Sequence, residues 1–186
     1  WEYEPEESDI YSVVLASGEI TRHTDRVGPD TNPALSPNGR YLAYTGHAAR
    51  ATGYNNSELY VLDLESGASR KLSGDFDRSI ENPQWDSSGT SIWFQYEDHG
   101  TYRIASSNLK GKLAESDLRL GGTTLGRPYA SGSFDIGANG VIAFTAGDTQ
   151  SPADLMTSRR GEQPRQLTQL NKDLRAHKTL ASVQEI

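Results

Sequence analysis

The side chains able to serve as base or nucleophile are four histidines, His23, His47, His99 and His177, and the serines. Among the serines, Ser131-Gly132-Ser133-Phe134-Asp135 comes nearest to a nucleophile motif. Acyl transfer needs a serine on a sharp strand-to-helix turn, Gly-x-Ser-x-Gly, so that the hydroxyl meets a histidine base and backbone donors for the oxyanion. The 131–135 string lacks the flanking glycines and stands just before an apolar strand, and no other pentapeptide fits. His23 falls in a closing strand, His47 in a loop after a strand, His99 beside Gly100 in a hairpin and His177 in the tail. None has a neighbour at metal-ligand spacing such as His-x-x-x-His. No catalytic residue, no metal site and no cofactor is therefore expected.

Residues suited to recognition are easier to find. The loop Ala49-Arg50-Ala51-Thr52-Gly53-Tyr54-Asn55-Asn56-Ser57 is longer than a hairpin connection requires, and long loops on a rigid scaffold are where function collects. Arg50 and Tyr54 are its candidate contacts, weighed against an ordinary solvent loop. Arg127 and Tyr129, in Gly126-Arg127-Pro128-Tyr129, are a second pair, weighed against stacking on a neighbouring sheet. Asp75-Phe76-Asp77 has oxygen ligands but not the regular carboxylate spacing of a calcium loop, so a connecting turn is the better reading. The acidic head, Glu2, Glu4, Glu6, Glu7 and Asp9, reads as a solvated edge.

The elements that must position these residues form a repeat. Small-residue turns precede apolar strands three times: Asn32-Pro33-Ala34-Leu35-Ser36-Pro37-Asn38-Gly39 before Tyr41–Tyr44, Asn82-Pro83-Gln84-Trp85-Asp86-Ser87-Ser88-Gly89 before Ile92–Phe94, and Phe134-Asp135-Ile136-Gly137-Ala138-Asn139-Gly140 before Val141–Phe144. The glycines Gly39, Gly89 and Gly140 are about 50 residues apart, the period of a propeller blade. After each strand comes an alternating one (Glu58–Asp63, Thr101–Ala105, Ala153–Thr157), then a hairpin turn and a closing strand. Each unit holds about four strands. The aromatics Tyr44, Trp85, Trp93, Phe94 and Phe144 fall on strand segments and are expected to pack between blades.

The opening stretch, Asp9–Leu15 and Ser17–Thr21, matches only the second half of a unit, since Gly18 lies 49 residues before Gly67. The reading is an all-β, partial β-propeller of about three and a half four-stranded blades. It divides into half a blade over 1–25, blades over 26–73, 74–122 and 123–170, and a tail over 171–186. Propellers close with typically four to eight blades, so open blade edges with unpaired backbone groups invite self-association.

Composition narrows the partners. With 34 % hydrophobic residues and 18 glycines in 186, the chain suits short strands and turns better than long buried helices. A formal charge of -7 with no basic run leaves nucleic acid and anionic membrane surfaces as poor partners. No apolar run approaches the roughly 18 to 20 residues of a membrane span. The first residues are too acidic for a signal peptide, and the missing initiator methionine implies a start inside a longer protein. The absence of cysteine suits cytosol and periplasm equally, leaving localisation open.

The string Asp30–Gly46 resembles the blade motif of the prolyl oligopeptidase family of serine peptidases, in its acylaminoacyl-peptidase and dipeptidyl-peptidase branch. The same is true of Gly126–Phe134, of Ile142-Ala143-Phe144-Thr145 with Ser151–Leu155, and of Arg165–Asn171. The final stretch, Leu174–Ile186, is similar to the passage by which that family leaves its propeller and enters its hydrolase domain. The resemblance implies the later half of a seven-bladed propeller, with a Ser-Asp-His α/β-hydrolase domain of the same protein downstream. In that setting the ring admits short peptides, and Arg50, Tyr54, Arg127 and Tyr129 are substrate or domain-interface contacts. The alternative is a stand-alone interaction propeller of the TolB kind.

Overall fold

The computed structural model describes residues 7–50, 52, 54–122, 131–148, 151–159, 161–170, 172–179 and 181. The fold is all-β. A two-stranded sheet, β1 (Tyr11–Val13) and β2 (Ile20–Arg22), precedes three four-stranded meanders. The first meander is β3 (Asp30–Leu35), β4 (Tyr41–Gly46), β5 (Glu58–Asp63) and β6 (Ser69–Lys71). The second is β7 (Ile80–Trp85), β8 (Ser91–Asp98), β9 (Thr101–Asn108) and β10 (Leu113–Leu120). The third is β11 (Phe134–Ile136), β12 (Val141–Ala146), β13 (Asp154–Arg159) and β14 (Arg165–Gln166). This is the strand content of a partial propeller of three and a half blades. A short helix, α1 (Lys172–Arg175), stands in the tail. The chain forms two compact units, Trp1–Tyr96 with Ala105–Ala114, and Glu97–Ile104 with Glu115–Ile186.

The Asn-Pro pairs are placed differently from the sequence expectation. Asn32-Pro33 and Asn82-Pro83 lie inside β3 and β7 and not in the turns that follow. Pairing runs Thr31↔Thr45 and resumes at Ala34↔Ala43, and likewise Glu81↔Gln95 then Gln84↔Trp93, so each strand carries one extra residue. Asparagine tolerates the left-handed backbone, with φ of 51° at Asn32 and 50° at Asn82, and proline has no N–H to lose from the ladder, which makes the pair a natural bulge. The turn proper is shorter. Gly39 N–H donates to the Ser36 carbonyl at 2.8 Å, Gly89 to Asp86 at 3.0 Å and Gly140 to Gly137 at 2.9 Å.

In the first unit the cores form between successive sheets, because a single thin sheet has two apolar faces and covers neither. Leu59, Val61 and Leu72 pack with Ile80, Ile92, Phe94 and Tyr96, while Ile10 packs with Leu42, Tyr44 and Leu62. Strand β4 is buried nearly throughout, as expected for a strand with sheets on both faces. Phe94, Tyr44 and Phe144 are buried, whereas Trp93 is half-buried, a correction to its expected place in the core. It alternates with Ile92 and Phe94 along β8, and those two occupy the inward face.

Candidate functional site

The meander topology gives the first unit two unlike ends. Tight turns over 36–40, 64–68 and 86–90 leave one end, and the loops 47–57 and 72–79 leave the other. These two loops enclose a cleft of about 520 Å³ lined by Arg50, Thr52, Tyr54, Asn56, Asp75 and Phe76 among others. The loops are tied across the cleft. Asn56 Nδ2 donates to Asp77 Oδ1 at 2.9 Å, Ser57 N–H donates to Ser79 Oγ at 3.2 Å, and Tyr54 Oη is 3.5 Å from the same hydroxyl. Phe76 anchors the second loop by edge-on contacts with Phe94 and Tyr96, at centroid distances of 5.9 and 5.0 Å.

Among the lining residues, Glu58 and Lys71 form an ion pair that extends into a wider network beyond the cleft. Lys71 Nζ lies 3.0 Å from Glu58 Oε1, and the Tyr60 hydroxyl donates to Glu58 Oε2. Arg26 sits over the Tyr60 ring at 4.1 Å and pairs with buried Asp30, while Tyr44 stacks on Tyr60 at 5.4 Å. Burial would raise the Glu58 pKa, but the Tyr60 and Lys71 hydrogen bonds outweigh it and hold the carboxyl below its ordinary value. Burial, then the bond to Glu58, pushes the Tyr60 phenol up. Burial opposes the Arg26 charge, and Asp30 overcomes that and raises it. The candidate recognition groups are at the rim, where Arg50 is exposed and Tyr54 is 75 % exposed.

Arg50 and Tyr54 are thus brought to one cleft. Arg127 and Tyr129 lie outside the described residues. Asp75-Phe76-Asp77 forms the connecting turn, and among the described residues no group of three His, Cys, Asp or Glu side chains is placed to hold a metal. Glu58, Tyr60, Lys71 and Arg26 escaped the sequence reading, since their only sequence signal is a carboxylate 13 residues before a lysine across a hairpin. His23 Nε2 lies 2.7 Å from Ser12 Oγ across β1 and β2, His99 Nδ1 pairs with Asp98 at 2.9 Å, and His47 meets the Ala48 carbonyl at 3.2 Å. The Ser12–His23 pair has no third group orienting the imidazole among the described residues. Among those residues no helix is long and apolar enough to cross a membrane.

No family model matches the chain. Dipeptidyl-peptidase 5 of Porphyromonas gingivalis is 31 % identical over 90 residues, 47 % of this chain and 13 % of that protein. The Tol-Pal system protein TolB of Francisella tularensis is 30 % identical over 64 residues, 34 % of this chain and 14 % of that protein. The chain thus spans about an eighth of the length of these relatives. Among solved structures, puromycin hydrolase superposes with a TM-score of 0.62 at 21 % identity, over 83 % of this chain and 24 % of its own. The Pyrococcus horikoshii acylaminoacyl peptidase gives 0.60 at 14 %, over 86 % and 27 %. TolB from Acinetobacter baumannii gives 0.59 at 19 %, over 86 % and 37 %. The chain is a propeller segment, and its resemblance to the prolyl oligopeptidase type holds in sequence and in fold.

Proposed function

We propose that this segment positions short peptides for, and limits their access to, a Ser-Asp-His hydrolase domain of the same protein. Its blades run over 26–73, 74–122 and 123–170, and the cleft between the 47–57 and 72–79 loops meets the peptide or that domain. The observation that carries this reading is the asymmetry of the first unit. Both long loops leave one end of the sheets, are tied to each other, and present Arg50 and Tyr54 over a floor whose charges are already paired. A guanidinium offers fork-shaped donors to peptide carbonyl or carboxylate oxygens, and an exposed phenol ring offers an apolar surface with a polar tip. The similarity to a dipeptidyl-peptidase supports peptides as the ligand class. Arg127 and Tyr129 belong to the same proposal as further contacts.

Titration of N-acetylated tripeptides against the chain, followed by amide chemical shifts, tests it. Saturable binding with shifts in the 47–57 loop is expected, and Arg50→Ala should weaken it about tenfold, the worth of one charge-assisted hydrogen bond. Absence of saturation at millimolar peptide, or an affinity indifferent to Arg50→Ala and Tyr54→Ala, overturns the reading. The second reading, an interaction propeller of the TolB kind, is favoured by the TolB superposition over 86 % of the chain. It predicts binding of a folded protein at this end and no affinity for short peptides.

A further inference from the structure

Arg26 and Asp30 form a largely buried ion pair next to the cleft, and its hydrogen-bonding capacity is only partly used. Arg26 Nη2 donates to Asp30 Oδ1 and, at 3.4 Å, to the Pro29 carbonyl. Among the described residues, Arg26 Nε, Arg26 Nη1 and Asp30 Oδ2 are buried without a hydrogen-bond partner. A buried pair repays the desolvation of its charges only when its remaining donors and acceptors are satisfied, and well-packed apolar residues in its place are often neutral or stabilising. Stability alone gives little reason for this pair. Its location gives a better one.

The pair touches two separate parts of the cleft lining. The Arg26 guanidinium lies 4.1 Å over the Tyr60 ring, the Tyr60 hydroxyl donates to Glu58, and Glu58 holds Lys71 at 3.0 Å. Glu58 and Lys71 line the cleft. The Pro29 carbonyl that Arg26 binds also accepts from His47 N–H at 3.3 Å, and the Val27 carbonyl accepts from Ala49 N–H at 3.0 Å. The root of the loop that bears Arg50 therefore hangs on residues 27–29. The fit leaves no room for a side chain at two positions: a Cβ at Gly46 would collide with the Pro29 carbonyl, Arg26 Nη2 and Asp30 Oδ1, and one at Gly28 with the His47 carbonyl and Ala49 N. Bonds outside the pair also fasten this segment, from Gly28 N–H to Glu7 Oε2 at 3.0 Å and from Asp30 N–H to the Ser8 carbonyl at 2.8 Å.

We infer that Arg26 is a positioning residue of the cleft: through the Pro29 carbonyl and the Tyr60 ring it sets the Arg50 loop against the Glu58–Lys71 pair, with no gain in fold stability. The guanidinium suits this task because its planar fork reaches a carboxylate and a carbonyl while its face stacks on an aromatic ring. An apolar side chain could fill the same space and could not grip the carbonyl on which the loop hangs. The functional meaning of this link rests on the peptide-binding reading of the cleft, whereas the link itself rests on the contacts alone.

The test is the chain carrying Arg26→Met and Asp30→Val together, which keeps an apolar stem over Tyr60 and removes both charges. Amide exchange at His47 and Ala49 should quicken about tenfold or more, exchange at Ile92 and Phe94 in β8 should not change, and the thermal midpoint should stay within about 3 °C of the parent chain. N-acetylated tripeptides should bind the double variant about tenfold more weakly than the parent. Unchanged exchange at His47 and Ala49 overturns the proposal, and so does equal acceleration at all four amides with a lowered midpoint, the mark of a pair that serves stability. Local loosening with undiminished peptide affinity overturns the role in the cleft. If the double variant does not fold, Arg26→Lys, which keeps the charge opposite Asp30 and lacks the planar fork, is read by the same amides and the same criteria. A parent chain that binds no peptide, with His47 and Ala49 loosened in the variant, would remove the peptide reading and leave the link between Arg26 and the loop standing.

Discussion

Trp85 Nε1 donates a 2.8 Å hydrogen bond to the Ala34 carbonyl, so an indole at the end of β7 caps a backbone group on β3 of the preceding sheet. The same ring stacks on Tyr41 with a centroid distance of 6.3 Å and an interplanar angle of 24°. Trp85→Phe keeps most of the stacking and leaves the Ala34 carbonyl without this donor. The expected loss is about 1–2 kcal/mol, seen as a fall of about 2–8 °C in thermal midpoint. An unchanged midpoint would mean that the bond contributes nothing to holding the sheets together.

Phe94 and Trp93 are adjacent on β8 and should respond differently to truncation. Phe94 is 0 % exposed among Leu59, Ile80, Ile92 and Phe76, so Phe94→Ala opens a cavity costing about 3–5 kcal/mol. Trp93 is half-buried, and Trp93→Ala should cost less than half of that despite the larger side chain. Denaturant midpoints of the two variants decide the order, and a Trp93 variant as damaged as the Phe94 variant would contradict the facing of β8.

The difference between these two residues marks how far the sequence is legible. The recurring glycine turns and alternating strands are local signals, and they correctly announce four-stranded units with a half unit in front. Which side of β8 faces the core depends on the partner sheet, so Trp93 reads as core in sequence and is only half-buried in the fold. Asn32-Pro33 is compositionally a turn, and only the paired register of β3 and β4 turns it into a bulge. At the cleft, Arg50 and Tyr54 are legible because the loop length is visible in one dimension. Glu58 and Lys71 are not, because their 3.0 Å contact exists only through the β5–β6 register.

Glu58 should make stability depend on acid. Its folded pKa lies below the ordinary value of 4.5, burial being outweighed by the Tyr60 and Lys71 hydrogen bonds. A depressed folded pKa contributes stability that is present above 4.5 and is lost as pH falls through the lower folded value. Glu58→Gln removes this contribution, so its urea midpoint should fall less steeply between pH 6 and pH 3 than that of the parent chain. Parallel curves would show that Glu58 titrates alike in the folded and unfolded states.

The last clasp is in the second unit. Asp154 Oδ1 accepts from Thr168 Oγ1 and from Leu170 N–H, each at 2.9 Å, and its Oδ2 accepts from Gln166 Nε2 at 2.9 Å. The Leu170 bond, opposed by burial and aided by the Thr168 and Gln166 bonds, holds this carboxyl below its ordinary range. Strand β14 has two residues, too short a ladder to hold itself, so the carboxylate fastens both the strand and the chain that leaves it. Asp154→Ala should speed amide exchange at Leu170 about tenfold or more, the signature of local opening. The Ile142 and Phe144 amides in β12 serve as the internal control, since their pairing with β11 and β13 does not involve this side chain. Equal acceleration at all of these positions would show a general loss of stability in place of a local clasp.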